Sequence, residues 1–414
     1  MGRLCIAILV VSCLAEGAFG QQALTWQEVR DRFENTNPTL RAAQIGIDES
    51  KAQEITAYLR PNPDFSSSLD QLQPFNGNPY RPLGFALPLL TSSYLHERQH
   101  KRELRLESAQ KSTGIAQSQL ADQERTLLFN LRNAFVQALQ AAAILGVARE
   151  SLAYYDRLLA VNNDRFKAGD IAQVDLDRLE LQRVQFESDV QTAETSVRTA
   201  KIQLLTLLND RTPVEQFDVT GPFDFTEQIT TLDELHDIAL ANRPDLKAAL
   251  QAVDKAKTDY RLAVANGSTD PTFGVDVGRN PPIPAYIGFS VNIPLKVFDR
   301  NQGEKARTQL DIRRTERLEE ASRAQVFSDV DSAWATLNSN RALLRPYKAK
   351  YLRLAGRVRE TVSFAYQHGG SSLLEFLNAQ NDYRSVQLNY LNLVGSYLTA
   401  ASQLNLAVGR EVIQ

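Results

Sequence analysis

The chain is short of cysteine, methionine and histidine, the residues that supply thiolate, thioether and imidazole chemistry. Its 414 residues include two cysteines, one methionine and four histidines. Both cysteines, Cys5 and Cys13, fall within the first twenty residues. The rest therefore has no disulfide framework, no thiolate nucleophile and no cysteine-ligated metal. A P-loop, a dinucleotide fingerprint, G-x-S-x-G and HExxH are all missing, so neither a cofactor nor an enzymatic activity is expected. An excess of positive charge is missing too. Lys and Arg number 46 against 49 Asp and Glu, a net charge of −3. That excludes the basic face by which a nucleic-acid binder displaces phosphate counterions. Proline and glycine are scarce over long stretches and gather instead at Pro61 to Pro88 and Gly267 to Pro294. Long helices interrupted by two strand-rich inserts are the expectation.

The first twenty residues stand apart. Arg3 precedes the apolar run Leu4 to Ala15, and Ala18-Phe19-Gly20 presents small residues where a signal peptidase reads. Residues 1–20 read as a signal peptide, too short for a spanning helix, with Gln21 opening the mature chain. Val10-Val11-Ser12-Cys13 also reads as a lipobox, which would leave Cys13 lipidated as an anchor. The short apolar run suits ordinary cleavage better.

What remains is written twice. Leu24-Thr25-Trp26-Gln27-Glu28, closing at Asn37-Pro38-Thr39-Leu40, parallels Thr231-Leu232-Asp233-Glu234, closing at Arg243-Pro244-Asp245-Leu246. Pro63-Asp64-Phe65 corresponds to Pro271-Thr272-Phe273, Leu87-Pro88-Leu89 to Ile293-Pro294-Leu295, and Ala168-Gly169 to Gly369. An offset of about 200 residues far exceeds a solenoid period and indicates a duplicated module. The expected division is a first repeat over 21–209, a linker over 210–230 and a second repeat over 231–410. Each repeat reads helix, two strands, very long helix, glycine turn, helix.

The strands carry period-two patterning. Phe273, Val275 and Val277 alternate with Gly274, Asp276 and Gly278, and Ile287, Phe289, Val291 and Ile293 with Gly288, Ser290 and Asn292. In the first repeat the pattern is Phe65, Ser67 and Leu69, then Leu83, Phe85, Leu87 and Leu89. From Leu95 to Phe166 there is no proline, and from Asn301 to Gln367 only Pro346. Each stretch predicts a helix on the order of 100 Å long. The following helices, Ile171 to Leu208 and Ser371 to Val408, would reach about 60 Å, and the proline-led ones, Pro38 to Leu59 and Pro244 to Ala265, about 30 Å.

Four short amphipathic strands cannot close a barrel, since the smallest transmembrane barrels need eight, and open sheet edges are not tolerated in hydrocarbon. If the apolar faces meet lipid, neighbouring copies must complete the sheet, and cyclic symmetry is the default. Three copies would supply twelve strands. The competing reading is a soluble β-subdomain packed on the helices.

The paired openings at Asn37-Pro38 and Arg243-Pro244, with the paired turns Arg165-Phe166-Lys167-Ala168-Gly169-Asp170 and Tyr366-Gln367-His368-Gly369-Gly370-Ser371, resemble those of TolC-type outer-membrane efflux proteins. The resemblance covers Leu24 to Gly409 and is nearest in character to the heavy-metal efflux channels. It implies a mainly α homotrimer in which a helical barrel crosses the periplasm and continues as a twelve-stranded β-barrel in the outer membrane. The partners it implies are a periplasmic adaptor, an inner-membrane pump of the RND type, and outer-membrane lipid. Nucleic acid is not among them.

The same resemblance singles out site residues. Gly169, Gly369 and Gly370 end the longest helices and imply the periplasmic tip and its adaptor contact; glycine there supplies the left-handed backbone that reverses a helix. Asp175, Glu375 and Asn378 fall where related channels carry a ring of acids at the closed entrance. Three copies of Glu375 around an axis would repel one another and attract cations. Asn378 replaces a second acid, which weakens that ring, and Ser371 and Ser372 stand where some relatives carry a basic latch. His96 and His100 are four apart, but with no third ligand in view they read as solvated or interfacial rather than as a metal clamp.

Two other functions compete. A type I protein secretion system uses an outer-membrane duct of the same kind, with cargo chosen by the pump. A periplasmic coiled-coil scaffold or adaptor would share the long helices and the export signal, without the four strands.

Overall fold

A computed structural model of the chain describes residues 23–72, 74–75, 79–225 and 231–413. The expected signal peptide, with Cys5 and Cys13, lies outside the described residues, as does part of the expected linker. Helices α1 (Trp26–Thr36) and α2 (Pro38–Tyr58) lead into strands β1 (Asp64–Asp70) and β2 (Leu87–Leu95). Helices α3 (Lys101–Ala168) and α4 (Gln173–Leu207) follow. After a 3₁₀ turn at Val214–Gln216 come α5 (Leu232–Asn242), α6 (Pro244–Asn266), β3 (Thr272–Asn280) and β4 (Ile283–Asn292). The chain ends with α7 (Gln302–Pro346), α8 (Leu352–Gln367) and α9 (Leu373–Val408).

Local chemistry sets these boundaries. Thr25 and Glu28 form a reciprocal capping box at the start of α1, and Thr231 and Glu234 form the same box at the start of α5. Each pair satisfies N–H groups that the first helical turn leaves without partners. Proline then opens α2 and α6, where its missing N–H costs nothing. Pro346 cannot donate to the turn before it, so the helical ladder widens to a π-type turn over Tyr347–Tyr351 before α8 resumes.

Two strand boundaries differ from the patterning. Leu83 and Phe85 precede β2 in tight turns, with Gly84 N–H donating to the Arg81 carbonyl at 2.9 Å and Ala86 N–H to Leu83 at 3.2 Å. Apolar alternation there outran the hydrogen-bond ladder. At the other end β2 continues through Leu95, so α3 begins at Lys101.

The fold forms two compact units. The first comprises Met1–Asn37, Leu131–Phe225 and Leu344–Ser396. Among its described residues, Tyr155, Leu158, Leu179, Phe186, Tyr366 and Phe376 make an aromatic-rich core. A second layer is built from the small residues Ala148, Val190 and Ala193, and a third from Ala138, Ala141 and Ala200. Alanine at these positions lets helix backbones approach closely. Helix α3 is long and apolar enough by composition to cross a membrane, yet it buries Leu131, Phe135 and Leu139 within this unit. Its apolarity serves packing.

The second unit comprises Pro38–Asn130, Thr226–Leu343 and Tyr397–Gln414. It holds the sheet, a fully antiparallel meander in the order β1-β2-β3-β4. On its helical side Val326, Val330, Ala333 and Leu337 of α7 recur at three- and four-residue spacing and are buried. The helix opening at Arg243 is the strongest polar node. Its buried guanidinium donates to Asp245 at 2.6 and 3.0 Å, to Asp329 at 2.8 Å and to the Ala407 carbonyl at 3.1 Å. Burial alone would raise the Asp245 carboxyl, but the Arg243 hydrogen bonds and charge outweigh it and hold the pKa low. In the first unit Asn37 occupies the matching place, and its amide donates to the Leu207 carbonyl at 3.3 Å. Both side chains cap the last carbonyls of a helix.

Candidate functional site

The three predicted tip glycines lie in the first unit; Gly169 and Gly369 take the left-handed conformation, with φ of +84° and +76°, and Gly370 does not. The hydrogen bonds around them match closely. Gly169 N–H donates to the Phe166 carbonyl and Asp170 N–H to Arg165, both at 2.9 Å. Gly369 N–H donates to Tyr366 at 3.2 Å and Gly370 N–H to Ala365 at 2.7 Å. This paired pattern is the Schellman motif, which ties up the orphan carbonyls of an ending helix. A Cβ at either left-handed glycine would meet nothing within 4 Å. The need for glycine there is purely conformational.

The residues just past the turns are unlike. Ser372 caps α9, and Glu375 stands at the third helical position. One Glu375 carboxylate oxygen accepts from Ser372 N–H at 2.9 Å, Ser371 Oγ at 2.8 Å and Ser372 Oγ at 3.1 Å. The Ser372 hydroxyl accepts in turn from Glu375 N–H at 3.2 Å, which completes a capping box. Those hydrogen bonds, the one from the Ser372 backbone first, hold the exposed Glu375 carboxyl below its ordinary value. Asp175 occupies the same third position in α4, but the cap is Ala172, which has no hydroxyl to offer. Asp175 instead faces Arg178 at 4.0 Å. Asn378 is exposed one turn beyond Glu375.

Between the hairpins lies a set of polar groups that the sequence did not announce. Tyr366 Oη donates to Asn162 Oδ1 at 2.9 Å, and Asn162 Nδ2 holds the Leu158 carbonyl at 2.9 Å. Tyr366 stacks on Phe376 at 5.0 Å, with the Arg165 guanidinium 5.5 Å from its ring. Burial raises the Tyr366 phenol pKa; the Arg165 charge works against that rise and the Asp175 charge adds to it. Further from the turns, Gln380 Nε2 donates to Ser363 Oγ at 3.1 Å and Tyr154 Oη at 3.3 Å, and Tyr154 Oη donates to Ser363 Oγ at 3.0 Å. Arg359 lies 3.8 Å above the Tyr383 ring, and Arg384 pairs with Asp189. The structure therefore brings Asp175 into electrostatic reach of Tyr366, while Glu375 is committed to its own helix end.

The sheet offers a second candidate surface. The register sets Phe65, Leu69, Leu90, Phe273, Val275, Val277, Ile287, Phe289 and Val291 on one face, all exposed. The other face carries Ser66, Ser68, Thr91, Gly274, Asp276, Gly288 and Ser290, and also Leu87 and Leu89, which pair with Asp70 and Ser68 and so lie opposite the apolar face that alternation predicts for them; Thr91 Oγ1 donates to Asp276 at 2.7 Å. A Cβ at Gly274 would meet Ser290 Oγ, and the serine hydroxyl would have to rotate away. Strands β1 and β4 are each paired on one side only.

Among the described residues no cluster of three or more His, Cys, Asp or Glu is placed to hold a metal. His96 packs edge-on against Phe273 at 6.4 Å, and His100 reaches only Glu103, at 3.9 Å. His236 pairs with Asp331 at 2.7 Å.

Comparison with known proteins bears on this pattern. Residues 235–410 match the family model described as outer membrane efflux protein. The chain is 24% identical over 399 residues to the cobalt-zinc-cadmium resistance protein CzcC of Cupriavidus metallidurans, covering 94% of this chain and 90% of that one. It is 24% identical over 387 residues to the pyoverdine export outer membrane protein OpmQ of Pseudomonas putida, covering 90% and 78%. Among solved structures, the MtrE outer membrane channel of Neisseria gonorrhoeae superposes with a TM-score of 0.76 at 19% identity, over 94% of this chain and 89% of that one. In sequence over residues 235–410, and in fold over nearly its whole length, the chain is similar to TolC-type outer-membrane efflux proteins.

Proposed function

We propose that the chain is one third of a homotrimeric exit duct that crosses the periplasm and opens through the outer membrane. The observation that carries this reading is the four-stranded sheet with one apolar face exposed and both edge strands half paired. Such a sheet cannot sit alone in hydrocarbon, where an unpaired amide costs several kcal/mol. Three copies joined β4 to β1 close twelve strands with the apolar face outward and the Ser, Thr, Gly and Asp face inward. The order of elements, met twice along the chain, is a duplicated module over 21–209 and 231–410, joined through 210–230. The duct performs no chemistry. It works with a periplasmic adaptor, seated at the Gly169 and Gly369–Gly370 tips, and with an inner-membrane pump of the RND type.

At the tip, Asp175, Glu375 and Asn378 line the entrance and favour cations. Because Glu375 also caps α9, its charge is held at a defined place on a helix end. The relatives serve metal resistance in one case and pyoverdine export in another, so cargo follows the pump and not this chain's own residues. Extraction of the membrane protein in detergent, followed by mass determination, tests the assembly: a trimer is expected, and a soluble periplasmic monomer would overturn it. Planar-bilayer recording tests the entrance. Glu375→Ala is expected to weaken cation preference, and an unchanged preference sinks that role.

A further inference from the structure

Beyond β4 the apolar alternation does not stop. Ile287, Phe289 and Val291 belong to the strand, and Ile293, Leu295 and Val297 continue the odd-numbered series past the last ladder residue, Asn292. Gly288, Ser290, Asn292, Pro294 and Lys296 fill the even places. Phe298 then closes the run. Leu295 is 82% exposed and Phe298 92%.

A loose loop would fold such side chains inward, but this segment is held from behind. Lys296 Nζ donates to the Asn266 carbonyl at 2.5 Å, and Asn301 Nδ2 to the Ala263 carbonyl at 2.8 Å. Val297 N–H closes a tight turn on the Leu295 carbonyl at 3.0 Å. The polar ties use the C-terminal end of α6 and leave the apolar side chains outside. The junction after β2 has no such character: His96, Glu97, Arg98, Gln99 and His100 take that place, and Glu97 pairs with Arg105.

We infer that Ile293–Phe298 is a membrane-interface anchor, which seats in the headgroup boundary of a phospholipid leaflet just past the hydrocarbon. The proposal rests on the reading that the apolar sheet face meets lipid, because it extends that face along the chain just past the end of β4. Length supports the depth. Ten residues of β4, tilted as in known barrels, already span roughly the 25 Å apolar band, so the extension must emerge from it. An aromatic at such a rim, with Arg300 two residues on, matches the apolar-then-cationic sequence of a phospholipid boundary.

The test uses the whole protein in phosphatidylcholine vesicles whose acyl chains are brominated either close to the headgroup or deep. Phe298→Trp, Leu295→Trp and, as the reference within the sheet, Phe289→Trp are each read against the parent carrying only Trp26 and Trp334. The added emission at 298 and 295 is expected to be lost most with shallow bromine, and that at 289 most with deep bromine. Loss at 289 with none at 295 or 298 overturns the anchor and leaves the lipid-facing sheet standing. A blue-shifted but unquenched Trp at 298 overturns it too, since a second copy then covers the site. No loss at any position overturns the reading of the sheet itself.

Discussion

The two tip turns end their long helices with the same backbone device and begin the next helix with different ones. Both use a left-handed glycine and a Schellman pair. After it, α9 has Ser372 and Glu375 as a closed capping box, whereas α4 starts at Ala172 with no side-chain cap. The helix openings differ in the same spirit. Arg243 is buried among two carboxylates and a carbonyl, while Asn37 makes a neutral amide contact to the Leu207 carbonyl. The backbone requirement of a reversal is met alike at both turns, and the side-chain chemistry around it differs. A turn can therefore be kept geometrically while the acid beside it is either locked at the helix cap, as Glu375 is, or left to an exposed ion pair one turn along its own helix, as Asp175 is with Arg178.

The sharpest way to break this comparison is at the openings. Arg243→Ala removes a buried cation and strands Asp245 and Asp329, which should cost about 3–5 kcal/mol. Asn37→Ala removes a neutral hydrogen bond, at about 1–2 kcal/mol. Thermal unfolding of the detergent-solubilised protein followed by circular dichroism should rank them in that order, and equal losses would mean that the Arg243 network carries no special weight.

Smaller effects separate the turns. Alanine at Gly169 or at Gly369 should cost about 1–2 kcal/mol and about the same at both, because the strain is left-handed backbone and not a clash. Unequal costs in the same unfolding assay would show that something besides φ distinguishes the turns. A bulky pair of replacements at both glycines is expected to abolish efflux in a resistance assay while the trimer still forms.

Next, Ser372→Ala should destabilise the start of α9 by about 1 kcal/mol, and Ala172→Ser should add up to a similar amount at α4. Amide exchange at the two helix starts reads both, and a gain at neither would deny the difference its supposed cause.

The smallest effect is pH-dependent. The Glu375 pKa is lowered in the folded chain, so its capping contribution is complete above the ordinary carboxylate value. It fades as pH falls through the lowered one. Protection of the Ser372 amide should decline over that acid range and become flat in Glu375→Gln.

Much of this molecule was legible in advance, for reasons tied to particular residues. Pro38 and Pro244 marked helix starts because only a first turn tolerates proline, and Gly169 and Gly369 marked reversals because only glycine enters that conformation freely. The pattern Ser372-x-x-Glu375 also announced a capping box, a local signal overlooked when Glu375 was read only as a gate acid. Leu83 and Phe85 misled, since apolar alternation says where a strand is possible and not where a partner strand ends.

What the sequence determined by itself is what neighbours within a few residues govern: helix starts, glycine reversals, caps and the alternating faces of β3 and β4. The tertiary structure alone decided which distant polar groups met. Tyr366 finds Asn162 204 positions away, and Gln380 finds Tyr154 across 226. A hydrogen bond has a strict distance and direction but no preference for sequence separation, so only the packed chain selects its partner.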